Sequence, residues 1–126
     1  MSQKSARLRN STEFRTVYEN GKRFDGRLMT VFILANEFGQ HRLGITASRK
    51  MARHAVKRNR AKRLIREAFR LSAGDLDALG ARYDWVFNAR RGLLEVKADA
   101  VIAELRVLVD RLRLGEQDSS TKKAEH

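Results

Sequence analysis

Apolar positions change their spacing repeatedly along the chain, and each change predicts an element. Phe14, Val17 and Tyr18 stand at i, i+3 and i+4, which puts them on one face of a helix. Asn10 or Ser11 can cap that helix, Glu13 is placed to close a capping box with Asn10, and Asn20-Gly21 ends it. From Lys22 to Ala47 the period falls to two, giving strands at 22–24, 28–35 and 42–47, with 36–41 a loop that turns at Gly39. The run from Leu28 to Ala35 is apolar at both alternating sets of positions. Either both faces of the sheet are covered there, or one is a binding surface. Between Met51 and Leu71 the helical period returns, gathering Ala61, Leu64, Ile65, Ala68, Phe69 and Leu71 on one side. A loop over 72–82 holds Gly74 and Gly80, 83–88 reads as a fourth strand, and Arg90-Arg91-Gly92 is the turn after it. The arginines of that turn fit phosphate contacts or an ordinary exposed turn equally well. From Leu94, steps of four and three through Ala98, Val101, Leu105, Leu108 and Leu112, with Ile102 and Val109 alongside, predict an amphipathic helix lying on the sheet. Gly115 is expected to stop it.

Charge changes the reading of the central helix. Its second side carries Arg58, Asn59, Lys62, Arg63, Arg66 and Arg70, and Glu67 is the one acid placed to pair with Arg63 or Arg70. Like charges at i,i+4, such as Lys62 and Arg66, destabilise an isolated helix by a few tenths of a kcal/mol each. A polyanionic partner explains their retention. The whole chain of 126 residues carries a net charge of +12, with a pI near 11.0, so its long-range field attracts nucleic acid or an anionic membrane surface. No apolar run approaches the roughly 20 residues of a membrane span, and the start Met1-Ser2-Gln3-Lys4-Ser5 is polar. A cytoplasmic location is expected. Cysteine and proline are absent, so packing alone must stabilise the fold. The organisation predicted is a basic, mobile segment over 1–9, a single domain over 10–114 and a disordered polar tail over 115–126.

Residues for catalysis do not come together. His41 falls in a loop, His54 at the start of the basic helix and His126 in the tail, and Asp75 with Asp77 reads as a solvated turn. No phosphate-binding glycine loop, serine elbow or zinc-binding His pair is present. A helix-turn-helix DNA reader needs a helix and short turn before its recognition helix, where this chain has a strand. The chain is expected to bind and not to catalyse.

The segment Arg42-Leu43-Gly44-Ile45-Thr46-Ala47-Ser48-Arg49-Lys50, a spacer, and then Ala55-Val56-Lys57-Arg58-Asn59-Arg60-Ala61-Lys62-Arg63-Leu64-Ile65-Arg66-Glu67-Ala68-Phe69-Arg70 resembles the signature of the bacterial ribonuclease P protein subunit. The resemblance spans roughly residues 7 to 113. It implies an α+β fold, an α/β two-layer sandwich in the order helix, three strands, helix, strand, helix, like one domain of ribosomal protein S5, with a left-handed crossover around the basic helix. It also implies a partner, the catalytic RNA subunit, and a substrate, precursor tRNA, whose 5′ leader the holoenzyme removes. Mg2+ bound mainly by the RNA would serve the chemistry. No membrane and no obligate protein partner is implied.

Two surfaces follow from that resemblance. Arg58, Asn59, Arg60, Lys62, Arg63 and Arg66 are expected on the catalytic RNA. Phe14, Tyr18 and Phe32, with Ser48, Arg49 and Lys50 at one end, are expected to line a groove for the single-stranded leader. Read from pattern alone, Phe14 and Tyr18 fit a core equally well, and Phe32 fits a buried sheet position better. Tyr18 stands where the family commonly has phenylalanine, and Phe32 where it frequently has tyrosine. Metal ions bridging protein and RNA near Asn59 are implied without a nameable ligand. The protein is expected to favour precursor over mature tRNA, broaden the substrate range and lower the Mg2+ requirement. The alternative is a structured-RNA or ribosome-binding module with no nuclease role.

Overall fold

The computed structural model describes residues 6–124, with side chains through residue 116. In chain order it runs β1 (Ala6–Arg7), α1 (Ser11–Asn20), β2 (Lys22–Asp25), β3 (Met29–Asn36), β4 (Arg42–Thr46), α2 (Ala55–Leu71), α3 (Ala73–Asp77), β5 (Arg82–Ala89), a 3-10 turn at Arg91–Glu95 and α4 (Ala98–Ala124). The five-stranded sheet has the order β1-β4-β5-β3-β2. β3 pairs antiparallel with β2 and β5, whereas β4 pairs parallel with β1 and β5. The fold is α+β, as the sequence implies.

Strand alternation divides the packing. Tyr83, Trp85 and Phe87 of β5 point to the face covered by α2 and α4, where Phe69 meets both Trp85 and Phe87 edge-on, at 5.7 and 5.8 Å. Val86 points to the other face and packs with Val17 and Leu8 under α1. α1 therefore covers only part of the second face. Its start is the predicted capping box: Asn10 Oδ1 accepts the Glu13 N–H at 2.9 Å, and Glu13 Oε1 accepts the N–H of Asn10 at 3.3 Å. At its end Gly21 approaches so closely that a Cβ would lie 2.6 Å from the Val17 carbonyl oxygen and 2.9 Å from that of Ile33. Only glycine lets the helix turn this tightly into the sheet.

Four expectations need correction. The basic segment is not loose throughout: Ala6 and Leu8 donate to the carbonyls of His41 and Leu43, both at 3.0 Å, forming β1, and Leu8 is buried. The edge of β4 offers those carbonyls, and Leu8 adds apolar burial. Residues 1–5 of that segment lie outside the described residues. The loop over 72–82 contains the short helix α3, because Leu76 and Leu79 are both buried. Leu71 is exposed, leaving Ala61, Ile65, Ala68 and Phe69 as the buried stripe of α2. Gly115 does not end α4, which continues to Ala124. A glycine costs a helix about 1 kcal/mol, and the next residue anchors the helix here: Glu116 accepts the N–H groups of Gly80 at 2.9 Å and Ala81 at 3.1 Å and the hydroxyl of Tyr83.

His41, placed by sequence in a loop, is buried beside β5. Its Nδ1 accepts the Tyr83 N–H and the Trp85 indole N–H, both at 3.1 Å, and Nε2 lies 3.1 Å from the Leu76 carbonyl. That pattern fits one neutral tautomer, protonated at Nε2. Burial pushes its pKa below the ordinary value. The unfolded chain then takes up the proton first, so the contribution of His41 to stability is complete above about pH 6.5 and is lost as pH falls from there toward the lower folded-state value. We expect the urea midpoint to fall across that window. His41→Ala should cost about 2 kcal/mol at pH 7.5, since it strands two buried donors, and should flatten the pH dependence below about pH 6.5. An unchanged slope in the variant would disprove this role.

Candidate nucleic-acid interface

The cationic side of α2 is built by what lies beneath it. Ala61, Ile65, Ala68 and Phe69 fix one stripe of the helix in the core, which turns Asn59, Arg63 and Arg66 to solvent. No acid stands in its first turn and no side chain caps its N-terminus, so the positive end of the helix dipole adds to the field there. Glu67 pairs with Arg70, at 2.6 Å. Among the described residues Lys62, Arg63 and Arg66 have no ion pair.

The remaining two arginines of the predicted set are tied down. Arg58 donates to the carbonyls of Ala52 at 3.0 Å and Arg53 at 2.8 Å, holding the turn that precedes α2. Arg60 donates to the Leu94 carbonyl at 2.9 Å. Each still carries its charge at the surface, but its position is set by the protein. Arg90 and Arg91 behave alike, donating to the carbonyls of Gly26 at 2.8 Å and Lys50 at 3.0 Å. The contact from Arg91 braces the turn that carries exposed Arg49 and Lys50. Ser48 begins this turn, and its hydroxyl oxygen accepts the Met51 N–H at 3.2 Å.

The aromatic residues gather on the part of the sheet that α1 leaves open. Tyr18 and Phe32 meet edge-to-face with centroids 4.8 Å apart, and the Arg23 guanidinium lies 5.6 Å from the Phe32 centroid. Phe14 lies nearer the start of α1, directly over Gly44. Its ring joins Arg7, Ile45, Lys62 and Arg66 around a cavity of about 170 Å³. Of the two predicted sets, this cavity brings together Phe14, Lys62 and Arg66.

Sequence reasoning missed the floor of this groove. Thr46 and Asn88 are partners in the parallel register of β4 and β5, and Thr30 is the partner of Asn88 across β3. Polar residues at alternate positions of otherwise apolar strands were the available signal. It also missed the clamp that seats α1. Arg42 donates twice to Asp84, at 2.7 and 2.6 Å, and once to Glu13, at 2.6 Å, while its guanidinium stacks 4.0 Å from the Phe38 centroid. The Arg9 N–H, at 2.8 Å, together with the Asn10 N–H and the charge of Arg42, holds the Glu13 carboxyl below its ordinary range. Hydrogen bonds from Arg42 to Asp84 in turn raise the guanidinium pKa.

A family model described as Ribonuclease P matches residues 2–113. The ribonuclease P protein component of Clostridium kluyveri is 41% identical over 85 residues, covering 68% of this chain and 74% of the relative. That of Syntrophus aciditrophicus is 38% identical over 108 residues, covering 86% and 87%. The solved RNase P protein from Thermotoga maritima superposes with a TM-score of 0.72 at 31% identity, over 83% of this chain and 96% of that one. The Staphylococcus aureus RNase P protein gives 0.72 at 27% identity, over 85% and 94%.

The seat of Phe14 can be tested without any ligand. A Cβ on Gly44 would lie 2.6 Å from Cζ of that ring and 3.1 Å from Leu8 Cδ1. Gly44→Ala should therefore push the ring out of its seat, shift the Phe14 ring resonances and cost about 1–3 kcal/mol of stability by urea titration. Unmoved resonances and midpoint together would show that the seat is not tight.

Proposed function

The chain belongs to the ribonuclease P protein family, and on that premise we propose that it holds the 5′ leader of precursor tRNA in the groove beside α1 while α2 faces the catalytic RNA. As a protein component of ribonuclease P it serves tRNA processing, and its partner is an RNA subunit. The observation that carries this arrangement is that Phe14 of the groove set lines one cavity with Lys62 and Arg66 of α2, so the two predicted surfaces meet there.

The groove suits single-stranded RNA. Exposed or half-buried rings offer faces and edges on which bases stack irrespective of sequence. Arg23 at one rim and Arg49 and Lys50 near the end of β4 supply phosphate contacts. α2 contributes Asn59, Lys62, Arg63 and Arg66 as free donors, with Arg58 and Arg60 as fixed charges. Neutralising phosphate where two RNA surfaces meet lowers the Mg2+ needed to hold them together.

In this reading the chemistry is carried by the RNA. Hydrolysis of the leader bond uses Mg2+, an ion that prefers several oxygen ligands in octahedral array. The donor set here does not fit it: among the described residues no group of three His, Asp or Glu comes together, and Glu67, the acid nearest the basic side of α2, is paired with Arg70. The protein binds and orients, and the complete ribonucleoprotein is the endoribonuclease. A cytoplasmic site of action agrees with the absence of any described helix long and apolar enough to span a membrane.

The decisive experiment is cleavage of a 5′-labelled precursor tRNA by the cognate catalytic RNA at low Mg2+, with and without this protein, alongside a protein-only reaction. Cleavage at the mature 5′ end should require both components; RNA binding without stimulation would favour a structured-RNA binding module instead. Phe14→Ala and Phe32→Ala should each reduce the precursor-to-mature affinity ratio roughly 5- to 100-fold, the range for loss of one stacked base. Arg63→Ala should weaken assembly with the catalytic RNA and lower the salt slope of that binding by about 1. An affinity ratio untouched by both aromatic variants would sink the groove assignment.

A further inference from the structure

The face of the sheet that packs under α4 stays open beside β2. Two neighbouring clefts lie there, of about 400 and 760 Å³, and Phe24 and Arg111 line both. The first has an apolar floor of Phe24, Met29 and Leu108, with Val107 of α4, 55% exposed, in its wall. The acids around the clefts are already engaged. Glu104 accepts the N–H groups of Arg27 at 2.8 Å and of Leu28 and Met29 at 3.1 Å. Glu116 is held by the backbone of Gly80 and Ala81, and Asp25 pairs with Arg23 at 3.0 Å. Lys22, Arg27 and Arg111 are exposed and have no ion pair among the described residues. β2 is also the last strand of the sheet, so its outer edge has no strand beside it.

An open edge accepts an added strand through main-chain hydrogen bonds, and pockets beside the edge then select its alternate side chains. Lys22 and Phe24 are the register partners of Ile33 and Val31, which both belong to the core beneath the helices, so they share the α4 face. A strand beside β2 therefore presents one side chain to Lys22, the next on that face to Phe24 and its cleft, and the next again to Arg27 at the turn. Cross-strand pairing calls for a carboxylate, an apolar group and a carboxylate at those places. A nucleic-acid strand would meet the cations but lay a polar backbone on Val107 and Leu108. A second copy of this chain would bring its own net charge of +12 against them. We propose that the β2 edge and the clefts beneath α4 form a docking site for an extended acidic segment of a protein partner, in which carboxylates flank an apolar residue at alternate positions. The site lies away from the groove beside α1 and does not depend on what binds there.

The probe is the end-blocked peptide Thr-Asp-Thr-Leu-Thr-Asp-Thr, whose carboxylates and leucine share one face of a strand. Its control, Thr-Thr-Asp-Leu-Asp-Thr-Thr, has the same composition and charge but puts the carboxylates on the face opposite the leucine. Amide resonances of the isotope-labelled full chain would be followed as each is added. The probe should shift residues 22–27 and 103–111 and bind roughly 3- to 30-fold more tightly than the control, the range for two or three cross-strand pairs. Arg27→Glu and Arg111→Glu, both at exposed positions, should each bring that ratio toward 1. Equal binding of the two peptides, shifts confined to α2, or a ratio untouched by both variants would reduce the effect to general charge attraction and overturn the proposal. An oligouridylate that shifts the same residues more strongly than the probe would overturn it in favour of RNA. Shifts that grow with protein concentration alone would overturn it in favour of a second copy.

Discussion

Asp84 is an acid in the middle of the central strand, flanked by Tyr83 and Trp85 and almost wholly removed from water. An unpaired carboxylate there would cost several kcal/mol, and the chain answers with Arg42 from the neighbouring strand. That guanidinium has a third donor, which reaches Glu13. Glu13 is also the reciprocal member of the capping box that starts α1. One buried charge therefore determines where a helix begins, how it sits over the sheet and how much of that face stays open. Asn36 adds a further donor to Asp84 at 2.8 Å, so the carboxylate is fully engaged. The groove is the area left when α1 is held at one end of the sheet by this clamp and at the other by Gly21.

The arginines divide by what they touch. Arg42 compensates buried acid, while Arg58, Arg60, Arg90 and Arg91 tie carbonyls of the turns around the groove and α2. Those four fix geometry while leaving their charge at the surface. Lys62, Arg63 and Arg66 have no such partner among the described residues, and they project from a helix whose other side is buried through Ala61, Ile65, Ala68 and Phe69. A polyanion thus meets cations whose backbone positions are rigid and whose side chains are free to adjust. Free side chains suit phosphate contacts, where position matters more than sequence.

Most of the elements were legible because their signals are local. The capping box at Asn10 and Glu13, the period of α2 and the alternation in β3 depend on neighbours within a few residues. β1 was illegible for the opposite reason. Ala6 and Arg7 have no strand signature, and they pair only because β4 offers an edge far along the chain. α3 was hidden by Gly74 and by two acids that read as a turn, although Leu76 and Leu79 anchor it. His41 is a loop residue, as the sequence reads it, but its burial was hidden because its partners, Leu76, Tyr83 and Trp85, all lie more than 30 positions away. Of the site, the aromatics and the cations were visible as residue types. Resemblance to the family grouped them, where pattern alone left Phe14 and Tyr18 between core and groove and favoured the core for Phe32.

The groove floor shows why a site can be half legible. Stacking residues are at least visible by type, even where pattern does not separate groove from core. Hydrogen-bonding residues are not, since threonine and asparagine occur in strands for many reasons. Their meaning here comes from register: Thr46 lies opposite Asn88 in the parallel pair, and Thr30 lies opposite Asn88 in the antiparallel one. A slip of one residue in either ladder would turn these groups into the core and bring apolar residues to the groove. The aromatic stack on the far face of β5 prevents that slip, because Trp85 and Phe87 lie parallel at 6.1 Å and both are wedged by Phe69. Packing on the buried face of the sheet thus sets which polar atoms the open face presents.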